Sequence, residues 1–241
     1  MTPIPVLYEN HDIIVINKPS GVAVHDAEKR AALGIVSLLK EQGKSDELYL
    51  CHRLDAGTSG CLCLAKNAKT AAEIGRLFEA TAISKYYLAL SKAKPKKKQG
   101  AVIGDMKNRR GGQHMLLKTR HAPAITQFFS YSAKPGIRGF VVKPHTGKTH
   151  QIRVALKSIG APILGDDLYA GESAERLHLH AWQLSIPLCT GTVTTVAPLL
   201  EHAMFADNEI KAWVKALPPP DTIKWPALPQ QKVKATALPH D

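Results

Sequence analysis

Tyr49-Leu50-Cys51-His52-Arg53-Leu54-Asp55-Ala56-Gly57-Thr58-Ser59-Gly60-Cys61-Leu62-Cys63-Leu64-Ala65 is the stretch on which the reading of this chain turns. Two short apolar runs, Tyr49 to Cys51 and Cys61 to Ala65, flank a polar loop that carries two glycines. That pattern reads as strand, loop, strand. The loop sets one carboxylate, Asp55, beside a histidine and an arginine, with small residues leaving room in front of it. An Asp on a strand-linking loop is commonly structural. One held beside cations and facing open space can act as a nucleophile.

Working outward, strands are expected at Val6 to Tyr8 and Ile13 to Ile16, with Asn17-Lys18-Pro19-Ser20-Gly21 breaking the second. Ile35, Leu38 and Leu39 predict a short helix. Ala71, Ile74, Leu77 and Phe78 predict a longer one over Ala68 to Ala80. Further strands are expected at Tyr86 to Leu90, Ile125 to Tyr131, Ile137 to Lys143, Leu177 to Ile186 and Thr192 to Val196, with a hairpin at Ala101-Val102-Ile103. Thr149 is placed to cap a helix whose apolar stripe is Ile152, Ala155, Leu156 and Ile159, with Arg153 off that stripe. Asp207 is placed to cap a last helix carrying Ile210, Trp213, Val214 and Leu217, which Pro218-Pro219-Pro220 stops. Strands outnumber helices, and short turns join most neighbours. The expected class is α+β, with a mainly antiparallel mixed sheet and flanking helices. Residues 1–217 are expected to form the catalytic domain. Residues 218–241 are expected to form a Pro-rich tail, with Trp225 as an anchor.

Length and composition bound the function. The 241 residues suffice for one large core or two small ones, and 44% hydrophobic with 22% charged residues is ordinary for a globular protein. No apolar run is long enough to span a bilayer, and Met1 to Pro5 lacks a basic stretch followed by an apolar one, so no membrane partner and a cytoplasmic location are expected. The four cysteines fit neither a disulfide framework nor a zinc knuckle. A net charge of +12 favours a polyanionic partner. The excess clusters at Lys92 to Lys98, which includes Lys96, Lys97 and Lys98, and at Lys107 to Arg120, which includes Arg109 and Arg110. Loops of that kind can reach phosphates along a folded nucleic acid.

Two chemical readings are weighed before the loop itself. Gly147-Lys148-Thr149 ahead of a helix has part of a phosphate-binding loop, but Val142 stands where the full motif needs glycine. Lys148 can still meet an RNA phosphate. His145, His150, His178, His180 and the pair Asp166-Asp167 offer metal ligands for a hydrolase, although no familiar ligand spacing appears and no metal is expected.

Several motifs occur in the order found in RluA-type RNA pseudouridine synthases, of the RsuA/RluA superfamily, and the chain resembles that family from about Val6 to Leu199. The motifs are Asn17 to Gly21 with Val24-His25; His52 to Gly60; Lys85 to Leu90; Gly147 to Val154; Pro162 to Asp166 with Tyr169; and Leu177 to Ala181. The resemblance implies a pseudouridine-synthase-like catalytic domain that isomerises uridines of structured RNA, ribosomal RNA or tRNA stem-loops, without a cofactor. It assigns the catalytic carboxylate to Asp55, its cationic partner to Arg153 and the aromatic group facing the base to Tyr87. Arg153 would favour the ionised form of the carboxylate. Tyr86 and Tyr87 point to opposite faces of a strand, so only one enters the site. Arg53, two positions before Asp55, is implied to hold the flipped-out RNA. His52 and Lys18 are implied to contact RNA or support the site.

Ala56-Gly57 departs from the bulkier or charged pair common in relatives. The residues ahead of Val6 leave no room for the small α-L RNA-binding module, so RNA is expected to be held by the catalytic domain and its basic loops. A monomer is expected. Two alternatives stand beside this reading: a catalytically silent RNA-binding homologue, which would lack Asp55, Arg153 or Tyr87, and the metal-dependent hydrolase.

Overall fold

A computed structural model describes residues 3–26, 33–45, 47–199 and 203–228. The chain opens with a hairpin of β1 (Val6–Glu9) and β2 (Ile13–Lys18). The Asn10 side-chain oxygen closes it by accepting from the backbone N–H groups of Asp12 and Ile13 at 2.9 and 2.8 Å. Helix α1 (Ile35–Glu41) and the short strand β3 (Tyr49–Leu50) lead into the Asp55 loop and then β4 (Ser59–Ala65). Helix α2 (Ala68–Glu79) follows, capped by Asn67, whose side chain accepts from the Thr70 N–H at 2.8 Å. After it come β5 (Ser84–Ser91), β6 (Gln99–Gly104), the small hairpin β7 (Met106–Asn108) and β8 (His114–Leu116), then β9 (Ala124–Lys134) and β10 (Ile137–Pro144). Helix α3 (Gln151–Ser158), β11 (Leu179–Leu188), β12 (Gly191–Val196) and α4 (Asn208–Lys215) complete the fold.

One large sheet runs in the order β1-β2-β4-β11-β5-β10-β9-β6, with β12 on β11 and β3 on β4. The β4–β11 pairing is parallel, and the other pairings of this sheet are antiparallel, so the α+β expectation holds. The parallel junction is short, pairing Ser59 with His180 and Gly60 with Ala181. It brings the Asp55 loop, which enters β4, beside the segment that enters β11. Gly60 has φ +109°, and a Cβ there would sit 2.2 Å from the Ala181 carbonyl oxygen, so only glycine permits the approach. Strands β2 and β4 are buried along their whole length, with Ile13 to Ile16 against Leu62 and Leu64, because α1 and α2 cover one face.

Helix α3 buries Ile152, Val154, Ala155 and Leu156 and leaves Arg153 to turn away from that packing. On the opposite face of the sheet Leu88, Val141 and Trp182 pack with Trp213, Ile223 and Trp225. Trp225 lies 5.9 Å from the Tyr86 ring and 5.3 Å from the Phe129 ring, and its indole N–H donates to the Pro220 carbonyl at 3.0 Å. Trp225 therefore does anchor the chain. Packing continues past Pro218 through Ile223 and Trp225, whereas 229–241 lie outside the described residues.

Three local expectations are corrected. Ala101 to Ile103 do not form their own hairpin; they lie in β6, which pairs with β9, and the hairpin is β7–β8. Thr149 does not cap α3: the cap position is His150, with a left-handed backbone at φ +56°. The Gln151 side chain closes that turn instead. Its oxygen accepts from the Thr146 hydroxyl at 2.7 Å and the Lys148 N–H at 3.0 Å, while its amide donates to the Ile125 carbonyl at 3.0 Å. Strand β11 begins two residues later than expected, at Leu179.

Candidate active site

Asp55 sits on the loop ahead of β4, between two cavities of about 410 and 590 Å³. Arg53, His150 and Arg153 line both. The larger one also takes in Tyr87 and Lys85 from β5 and the turn from Thr146 to Lys148. Asp55 and Arg153 are 98 residues apart in sequence, yet Arg153 Nη1 donates to Asp55 Oδ2 at 3.3 Å. The other two nitrogens of the fork hold Asp166, Nε to Oδ2 at 2.8 Å and Nη2 to Oδ1 at 2.7 Å. One guanidinium thus serves two carboxylates, and burial's pull on it is outweighed by Asp166 and Asp55, which leave its pKa raised. Asp166 is fully enclosed, whereas the Asp55 side chain keeps 20% of its surface open to the cavities.

A second arm reaches Asp55 through His150, whose Nε2 lies 4.0 Å from Asp55 Oδ2. Its Nδ1 lies 2.9 Å from the Tyr169 hydroxyl, which accepts from the His114 backbone N–H at 2.8 Å. Burial lowers the His150 pKa, Asp55 opposes that and Arg153 adds to it, so the imidazole is neutral near pH 7. The Tyr169 ring also stacks beneath the guanidinium, 5.1 Å from Arg153 Cζ. The β7–β8 hairpin is therefore fastened to the site, and Gln113 adds a bond to the Leu168 carbonyl at 2.9 Å.

Tyr87 faces the cavity while Tyr86 turns to Trp225 on the other face. Burial, then the Asp55 and Cys61 charges, raise the Tyr87 phenol well above its usual range. It is a neutral ring with an O–H, not a phenolate. Arg53 is exposed at the rim. Lys148 is exposed on the turn before α3 and lines the larger cavity. Arg109 and Arg110 are exposed at the tip of the fastened hairpin. Lys96, Lys97 and Lys98 are exposed elsewhere: the Lys96 N–H donates to the Ile159 carbonyl at 3.2 Å, at the end of α3 away from Asp55. The helix's eight residues put that loop about 12 Å from the His150 end.

Of the two roles implied for Lys18, the structure favours support over RNA contact, because the side chain is completely buried. Its ammonium donates to the carbonyls of Pro19, Val22 and Ala56 at 2.8, 2.7 and 3.1 Å, which ties the Asn17–Gly21 turn to the Asp55 loop. Burial and the Arg176 charge pull its pKa down to about 7, against Asp55. His52 is half-buried: its Nε2 accepts from the Cys63 N–H at 2.9 Å, its ring stacks on Phe78 at 4.9 Å, and burial plus the Lys85 charge lower its pKa to about 3.

The histidines weighed as metal ligands are held by the protein. His178 Nδ1 donates to the Leu164 carbonyl at 3.2 Å and its Nε2 accepts from the Met204 N–H at 3.2 Å. His180 Nε2 donates to the Ala197 carbonyl at 3.1 Å, and its Nδ1 accepts from Ser59 at 2.8 Å. Ser59 in turn accepts from Arg176 at 2.7 Å. Both rings are buried and neutral, their pKa values lowered to about 4 by burial first. Among the described residues no group of three His, Cys, Asp or Glu is placed to hold a metal.

Sequence reasoning weighed Asp166 and His150 only as metal ligands and assigned no role to Tyr169 or Arg176. All but Arg176 belong to motifs singled out in the sequence, but nothing in their spacing tied them to Arg153.

Comparison with known proteins follows the same line. The RNA pseudouridylate synthase family model matches residues 12–158. The uncharacterized RNA pseudouridine synthase of Haemophilus influenzae is 51% identical over 75% of this chain and 81% of its own length. The ribosomal large subunit pseudouridine synthase C of Rickettsia felis is 31% identical over 73% of this chain, and the match spans 60% of that protein. Among solved structures, human RNA pseudouridylate synthase domain containing 4 superposes with a TM-score of 0.71 at 25% identity, covering 86% of this chain and 93% of that one.

Proposed function

This chain belongs to the RNA pseudouridylate synthase family and is an RNA pseudouridine synthase, and from that premise we propose that Asp55 is its catalytic carboxylate, with Arg153 as its cationic partner and Tyr87 as the ring that receives the uracil. The observation that carries this reading is the meeting of the three side chains in one cavity of about 590 Å³.

The isomerisation breaks the N1–C1′ bond, rotates the uracil and forms a C5–C1′ bond. C5 loses a proton, N1 gains one, and no electron or external group is transferred, so no cofactor is proposed. Asp55 supplies the negative charge that acts beside the sugar and base. Its Oδ2 faces Arg153 and His150, which leaves Oδ1 for the substrate. The neutral Tyr87 presents its ring to the base and its O–H as a donor. A base reaches such a cavity only when it leaves its stack, at a cost of a few kcal/mol. Arg53 stands at the rim to occupy the vacated position.

The proposed substrate is a stem-loop of ribosomal RNA or tRNA. The name of the Rickettsia felis relative supports ribosomal RNA. Arg109 and Arg110, exposed on the hairpin fastened to the site, and Lys148, exposed in the cavity lining, are proposed to meet phosphates of the RNA. Lys96, Lys97 and Lys98 would meet RNA that extends past α3. We further propose a cytoplasmic monomer with residues 1–217 as its catalytic unit. No helix among the described residues is long and apolar enough to cross a membrane.

Pseudouridine maps of total RNA from cells with and without this protein test the function. Loss of modification at one or a few uridines is expected; identical maps would contradict it.

A further inference from the structure

Phe78, near the end of α2, gathers two donors that lack acceptors. His52 stacks on its ring at 4.9 Å, and the Lys85 ammonium lies 5.5 Å from the ring centroid. His52 Nε2 accepts from the Cys63 N–H, so the proton of the neutral ring is on Nδ1. Among the described residues that N–H has no hydrogen-bonded partner, and Lys85 Nζ has neither a hydrogen bond nor an ion pair. Both residues line the same cavity as Asp55 and Tyr87. Lys85 is half-buried, and that burial lowers its pKa, the signature of a cation that water does not fully solvate. Its neighbours do not neutralise it. His52 and His145 both feel its positive charge, and Glu79, an exposed carboxylate in the cavity lining, forms no ion pair with it.

The place of Lys85 on β5 sets the scale. Lys85 and Tyr87 alternate to the same face, about 7 Å apart along the strand. With a uracil on Tyr87, an anion at that distance is a phosphate of the RNA backbone, on the same nucleotide or the next. We propose that Lys85 and His52, held together by Phe78, form a phosphate subsite that grips the backbone of the flipped nucleotide. The proposal rests on the pseudouridine synthase reading for its ligand. It adds a binding residue, Lys85, and gives His52 a donor atom and a target.

Binding of a labelled oligouridylate across a salt series tests it, with the wild type, Lys85→Arg, Lys85→Met and Lys85→Glu. Methionine keeps an unbranched stem over Phe78 and removes the charge. Lys85→Met is expected to bind about tenfold more weakly at low salt. Its slope of log affinity against log salt should be flatter by about 0.7, the share of one single-strand phosphate. Lys85→Arg should keep the wild-type slope, and Lys85→Glu should bind more weakly than Lys85→Met. A wild-type slope in Lys85→Met overturns the subsite, whether or not affinity falls, because a packing defect alone does not change the slope. Pseudouridine formation by the wild type is assayed separately. A wild type that shows the Lys85-dependent slope yet forms no pseudouridine would overturn the function and leave the subsite standing.

Discussion

The loop before β4 and the loop after α3 each present one carboxylate to Arg153, and the protein treats them in opposite ways. Asp166, in the later loop, is sealed from solvent and receives two bonds of 2.7 and 2.8 Å. Asp55, in the earlier loop, receives one of 3.3 Å and stays partly open to the cavities. The two loops are also fastened by different means. In the later loop Gly165 has φ +78°, and a Cβ there would meet the Arg176 carbonyl oxygen at 1.8 Å, so the loop is pressed against its neighbour. The Asp55 loop is held instead by hydrogen bonds to its carbonyls, from Lys18 and the Gly21 N–H at Ala56 and from the Ser20 hydroxyl at Gly57. The difference teaches a division of labour: Asp166 fixes the guanidinium, and the guanidinium in turn holds one oxygen of a carboxylate that keeps an open side towards the cavities.

The largest effect expected from breaking this arrangement comes from Arg153→Ala, which strands both carboxylates. Chemical denaturation should show a loss of about 3–5 kcal/mol, the cost of leaving a buried charge without its partner. Product formation should vanish with it. Unchanged stability would mean that Asp166 does not depend on the guanidinium.

The anchoring side is also where stability should depend on acid. His178, which bonds to the Leu164 carbonyl, and His180 have folded-state pKa values near 4, below the 6.5 of an unperturbed imidazole. Below pH 6.5 the unfolded chain therefore binds more protons than the folded one. The stability these rings contribute is complete above 6.5 and is lost as pH falls towards 4. Fully buried His180 alone contributes on the order of 3 kcal/mol to this change. Melting temperatures measured from pH 7 to pH 4 should fall accordingly, and a flat profile would show that the rings are not held neutral.

Asp166→Asn should have a smaller effect. It replaces two charge-assisted bonds and should cost about 2 kcal/mol. Turnover should fall roughly tenfold, since a misplaced guanidinium perturbs Asp55 only indirectly. RNA affinity should stay near wild type. A drop in affinity with normal turnover would place Asp166 in RNA binding instead.

Much of this arrangement was legible in the sequence where a local pattern carries the information. The apolar runs on either side of the Asp55 loop are strands, the stripe of α3 excludes Arg153, and strand alternation separates Tyr86 from Tyr87. What stayed hidden depends on contacts between distant segments. Asp166 follows Arg153 by thirteen residues across a helix end and a turn, with no periodicity to link them. Nothing local in the sequence marks Lys18 as buried, since lysine seldom is; three converging carbonyls make it the exception. The cap of α3 was misassigned because Gln151, from inside the helix, closes the turn that Thr149 seemed placed to close. Lys85 was visible within its motif, but its lack of an acceptor appears only once Phe78 and His52 are packed beside it.

The central claim, that Asp55 is the reagent and Asp166 the anchor, is tested most directly by pseudouridine formation with Asp55→Asn on an RNA that the wild type modifies. The account predicts no detectable product, with melting temperature and RNA affinity close to wild type. Product formed by Asp55→Asn at a rate near that of the wild type would contradict it.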